Sequence, residues 1–150
     1  MLQLRLVVEA PDYTEAVRFF RDTLGLREQA AFEGDGDARV VILEAGRATL
    51  ELANPEQKKM IDEVEAKGHP SSRIRVAFEV DDTRAVTDAL VAGGAELVAH
   101  PVETPWRSLN SRLNAPAGLQ VTLFQELETM HDRGQLEGFG IDSKRHEDNT

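Results

Sequence analysis

Apolar and polar residues alternate from the start of the chain. Leu4, Leu6 and Val8 fall on one face of an extended segment, and Arg5, Val7 and Glu9 on the other. That period of two predicts a strand over residues 2–8 with two unlike faces. Pro11 and Asp12 interrupt it. Asp12 with Glu15 three positions later is a capping-box signal. Ala16, Val17, Phe19, Phe20 and Leu24 then recur at helical spacing until Gly25 stops them. Strand-like alternation returns in residues 28–32, 39–44 and 47–53, separated by Gly34-Asp35-Gly36-Asp37 and by Ala45-Gly46. The order is β-α-β-β-β. After Asn54 and Pro55, residues 56–67 read as a polar connecting helix closed by Gly68.

The pattern then begins again. Residues 73–80 suit a strand, Asp82 a cap, residues 83–92 a helix ending at Gly93-Gly94, and residues 96–99, 109–113 and 119–125 three further strands. An irregular stretch with Pro101, Pro105 and Trp106 lies between the first two of these. Arg5 and Arg75 stand 70 positions apart, as do Asp12 and Asp82, and Glu51 falls 71 positions before Thr122. A near-constant offset across whole units identifies a duplicated module. Beyond Gln125 periodicity fades. Residues 126–150 carry seven acidic residues against three basic ones and predict an acidic, partly disordered tail. A short helix near Leu127, or docking of Leu136, Phe139 and Ile141 on the body, is the alternative.

Composition narrows the function classes. A net charge of −10 disfavours a nucleic-acid partner. The absence of cysteine removes disulfides, thiolate zinc sites and cysteine nucleophiles. No apolar run reaches the length of a membrane span, and nothing resembles a secretion signal, so a cytoplasmic protein without a membrane partner is expected.

EAVRFFRDTLGL, RVAFEVDD, GGAELV, ETPW and APAGLQVTLFQ, in that order across two repeats, resemble the vicinal oxygen chelate superfamily of glyoxalases, bleomycin-resistance proteins and dioxygenases. The resemblance spans residues 2–125. It implies an α+β fold in which two tandem βαβββ modules form a curled sheet around a shared cavity. Module 1 would cover about 2–53, the linker helix about 55–68 and module 2 about 73–125. It also implies a homodimer.

Catalytic members of that superfamily hold a divalent metal on the first and last strands of each module. Those positions fall here on Arg5, Glu51, Arg75 and Thr122. Guanidinium groups have no lone pair to offer a metal and stay charged, so only Glu51 keeps a ligand type and neither metal nor cofactor is expected. His69, His100, His131 and His146 share no metal-ligand spacing. Two readings of the arginines stay open. Arg5 or Arg75 pairs with Glu51 and its neighbours, or one takes a ligand carboxylate or phosphate in a forked hydrogen bond. Trp106 either stacks a planar ligand or caps the core. The expected function is metal-independent binding of a small, drug-like molecule, on Arg5, Glu51, Arg75, Trp106, Thr122 and Phe124. The acidic charge would weakly favour a cation. A lyase, isomerase or dioxygenase using a divalent metal or Glu51 as base is the alternative; a regulatory module with an adhesive tail is a third.

Overall fold

In a computed structural model, which describes residues 1–23 and 25–140, the duplicated pattern becomes one nine-stranded sheet. Leu24, Ile141 and His146, named above, lie outside those residues. Module 1 comprises β1 (Leu4–Glu9), α1 (Tyr13–Val17), β2 (Glu28–Glu33), β3 (Arg39–Ala45) and β4 (Ala48–Ala53). The connector is α2 (Pro55–Ala66). Module 2 comprises β5 (Ile74–Glu79), α3 (Thr83–Ala92), β6 (Glu96–Glu103), β7 (Ser108–Ala115) and β8 (Leu119–Glu126). The strand order is β6-β7-β8-β5-β1-β4-β3-β2, extended beyond β2 by β9 (Phe139–Gly140).

The two modules meet through antiparallel pairing of β1 with β5, which sets Leu6 opposite Val76 and Val7 opposite Arg75. Each first strand also pairs in parallel with the last strand of its own module: β1 with β4, and β5 with β8. The repeat therefore places its four equivalent strands side by side at the centre. The helices begin as the caps require. Asp12 accepts from the Glu15 backbone N–H at 2.9 Å and Asp82 from that of Ala85 at 3.0 Å. α1 packs Tyr13 and Val17 on Ala31, Val41, Leu43 and Leu52. In module 2, Val86 of α3 packs on Val80, Leu113, Val121 and Leu123.

α2 shows how the sheet bends. It touches β3 and β4 on one side and β6 and β7 on the other. In a flat sheet β3 and β6 would be six strand spacings apart, roughly 29 Å at about 4.8 Å each. A helix only about 10–12 Å wide cannot bridge that gap, so the sheet curls around it, and its ends stay unjoined.

Several expectations need correction. The first helix is regular only to Val17 and widens into a π-type turn over Arg18–Thr23. That turn leaves Phe19 exposed and lets the Leu26 N–H reach the Phe20 carbonyl. β6 runs through Pro101 to Glu103, with register shifts near Ala99 and Val102. It is an edge strand, where a bulge and a missing N–H are tolerated. Over residues 126–140 the structure follows the alternative of a short helix and docking: α4 (Met130–Arg133) and β9 fold them back, and β9 pairs with β2.

Candidate functional site

The connecting helix builds the first wall. Pro55 occupies its first turn, where a missing N–H is harmless, and Asn54 caps it by accepting from Gln57 N at 2.9 Å. Its inward face is mostly polar: Gln57, Asp62 and Glu65 are buried beside Ile61 and Ala66. Burial of those acids needs compensating charge, and β7 supplies it. Arg112, wholly buried, donates to Asp62 at 2.5 Å and to Glu65 at 2.8 Å, while Asn110 Nδ2 donates to Glu65 at 2.6 Å. Lys58 and the Ser71 N–H complete Asp62 at 3.0 and 3.1 Å. Burial by itself would raise the Asp62 carboxyl. The donors from Ser71, Arg112 and Lys58 outweigh it together and hold the group below the usual carboxylate range. Sequence reasoning missed this cluster, treating α2 as a connector and leaving Arg112 unremarked.

Between α2 and the sheet lies a cavity of about 80 Å³. All six residues singled out from the sequence line it: Arg5, Glu51, Arg75, Trp106, Thr122 and Phe124. Alternation explains most of this, since Arg5 and Val7 on β1, Arg75 and Ala77 on β5, and Thr122 and Phe124 on β8 point the same way. The rest of the wall mixes apolar side chains, Phe32, Val40, Ile42 and Ile61 among them, with polar ones such as Gln57, Glu65 and Asn110. Trp106 is half-buried and lies 6.4 Å, ring to ring, from Phe32.

The two repeated arginines differ. Arg5 is heavily paired: 3.9 Å from Glu51, 3.4 Å from Glu126, and stacked over Phe124 with its guanidinium carbon 4.4 Å from the ring centre. Burial draws its pKa below the ordinary arginine value, opposed by Glu51 and Glu79. Arg75 is 5% exposed, and its one side-chain hydrogen bond among the described residues is the 2.7 Å donation to Thr122 Oγ1. Among the described residues no carboxylate lies within 4 Å of it. The expected pairing with Glu51 thus holds for Arg5 and not for Arg75. Glu9 and Glu79, which alternation puts on the same strand faces as Arg5 and Arg75, are not among the lining residues; Glu9 sits 3.6 Å from Arg73.

The folded-back segment forms the last wall. Arg133 and Phe139 line the cavity, and Arg133 pairs with Glu126. Burial, with Arg5 adding to it and Glu79 opposing, pulls the Arg133 pKa down to about 10. No sequence periodicity marked these residues.

The superfamily's metal does not suit these side chains. Two of the four equivalent positions are guanidinium groups without lone pairs, and Thr122 Oγ1 already accepts from Arg75. Among the described residues no three His, Asp or Glu side chains are grouped to hold a metal ion. His69, His100 and His131 are exposed and away from the cavity. No described helix is long and apolar enough to cross a membrane.

Comparison with solved structures returns the same fold. A hypothetical protein of Bacillus halodurans C-125 aligns over 86% of this chain and 96% of its own, with 15% identity and a TM-score of 0.66. A glyoxalase/bleomycin resistance protein/dioxygenase superfamily member from Vibrio splendidus 12B01 aligns over 84% and 100%, with 15% identity and a TM-score of 0.56. The methylmalonyl-CoA epimerase of Mycobacterium tuberculosis aligns over 87% and 89%, with 19% identity and a TM-score of 0.57. At such identities the likeness is one of fold alone. No curated protein sequence matches the chain. The family model described as glyoxalase/bleomycin resistance protein/dioxygenase superfamily matches residues 3–123, four-fifths of the chain and both modules, and the protein belongs to that superfamily.

Proposed function

We propose that this protein binds a small organic molecule in the cavity between α2 and the sheet, without a metal ion. The supporting observation is the wall itself: apolar over most of its area, with charged and polar side chains of both signs set among the apolar ones. That is the usual make-up of a small-molecule site. Arg5, Glu51, Arg75, Trp106, Thr122 and Phe124 are its proposed contacts. A cavity of about 80 Å³ is well below the roughly 300 Å³ at which sites for drug-sized ligands begin. The ligand enclosed by residues 126–140 is therefore fragment-sized. Self-association is part of the proposal. Leu4, Leu6 and Ile74 are exposed on the outer face of β1 and β5, and an uncharged strip is where two copies of net charge −10 can approach.

The test is elemental analysis of the purified protein with a fragment thermal-shift screen, repeated on Glu51→Gln. The expected result is no stoichiometric metal in either protein and at least one fragment that raises Tm. Stoichiometric zinc, nickel, iron or manganese that disappears in Glu51→Gln would favour a metal-dependent lyase, isomerase or dioxygenase instead.

A further inference from the structure

We infer that the ligand is a short-chain monocarboxylate, held by its carboxylate on Arg75; this rests on the binding reading above and specifies its ligand. A guanidinium carries five N–H donors, and Arg75 uses one of them, on Thr122. The others have no protein partner and are not sealed off: they stay accessible from the cavity, and a largely buried cation without a counter-charge is unfavourable. The group borders the cavity, so an anion there would receive its remaining donors.

The carboxylates around the cavity do not fill this role. Glu65 is bound by Arg112 and Asn110, Glu126 by Arg5 and Arg133, and Glu51 lies beside Arg5. Each acid on the wall has an arginine; Arg75 is the cation left over among the described residues that line the cavity. This reverses the expectation drawn from net charge, which favoured a cationic ligand. The protein as a whole is acidic, but its unmet charge at the site is positive.

Size and charge narrow the class. At about 10–15 Å³ per water-sized group, 80 Å³ admits roughly five to eight non-hydrogen atoms. Three belong to the carboxylate, which leaves a tail of two to five atoms against Val7, Ile61, Ala77 and Phe124. A single arginine matches a monoanion, whereas a phosphate dianion would bring its second charge toward Glu51 and Glu126.

Calorimetric titration of the full chain with butyrate and pentanoate, alongside butanamide, 1-butanol and butylamine, tests this. The expected result is one carboxylate per chain, at least tenfold tighter than the amide, alcohol or amine. Arg75→Met is expected to weaken carboxylate binding at least tenfold while its Tm stays level or rises, because an uncompensated buried charge has gone. If that variant fails to fold, Arg75→Lys replaces it: charge without the planar fork, with binding weakened severalfold. Thr122→Val, which removes the hydroxyl that orients Arg75, is expected to weaken binding less. Carboxylate affinity unchanged in Arg75→Met, or tighter binding of the amine or alcohol, overturns the inference and leaves the binding function standing. If no fragment of any charge binds, both fall.

Discussion

Replacing Arg112 with methionine probes the interaction that holds α2 against the sheet. The guanidinium is wholly buried and donates at 2.5 Å to Asp62 and 2.8 Å to Glu65, two acids that are themselves buried. Methionine fills comparable space, so the main loss is electrostatic. Asp62 keeps Lys58 at 3.0 Å and the Ser71 N–H at 3.1 Å, whereas Glu65 keeps only the neutral amide of Asn110 at 2.6 Å. Removing one partner from a buried ion pair costs about 3–5 kcal/mol, a large share of the roughly 5–15 kcal/mol that stabilises an ordinary domain. At about 2–4 °C per kcal/mol for a chain of this size, Tm should fall by roughly 6–20 °C. Urea titration followed by circular dichroism gives the free energy directly. The sharper measurement is the second substitution. Adding Glu65→Gln to Arg112→Met removes the stranded charge and should recover at least half of the loss. A single-variant cost under about 1 kcal/mol, or no recovery in the double variant, would falsify the view that Glu65 is stabilised mainly by Arg112.

Three further outcomes follow from the same geometry. Asp62 is held below the usual carboxylate range in the folded protein, so its stabilising contribution is present above the unfolded pKa near 4 and is lost as pH falls through the lower folded value. Asp62→Asn should therefore flatten the acid limb of the stability profile below pH 4; an unchanged acid limb in Tm measurements contradicts this. Leu43, fully buried among Tyr13, Val17 and Val41, should cost about 2–5 kcal/mol on truncation to alanine, read as a lower urea midpoint with unchanged slope. Gly138 has φ +82°, and a Cβ there would run into the Glu33 carbonyl oxygen. Gly138→Ala should detach β9 from β2 without unfolding the sheet, exposing residues 134–140 to limited proteolysis. A protease-resistant Gly138→Ala protein would mean that β9 docks independently of this close approach.

What the sequence made legible was whatever is encoded within a few residues or by repetition. Alternation placed the cavity-facing side chains of β1, β5 and β8, and Asp12 and Asp82 marked two helix starts that the caps realise. What it hid depends on partners far along the chain. Asp62 and Glu65 look like solvent-facing acids within α2, and become interior groups only opposite Arg112, 50 and 47 positions away. Arg133 sits in a stretch without periodicity, and its burial depends on Glu126 and on the docking of β9 on β2.

The difference between the two repeated arginines was partly visible beforehand, and the structure shows why it matters. Within each module the first-strand arginine faces the last strand. In module 1 that strand offers Glu51, 3.9 Å from Arg5; in module 2 it offers Thr122, 2.7 Å from Arg75. A carboxylate and a hydroxyl at equivalent positions leave one guanidinium neutralised and the other merely oriented. The unrepeated parts widen the gap. Arg133, in the segment after β8, shares Glu126 with Arg5, and Arg112 engages the acids of α2. Neither addition brings a carboxylate to Arg75. A duplicated fold thus holds one site with two chemistries: an arginine bound up in the wall, and an arginine that no carboxylate among the described residues neutralises.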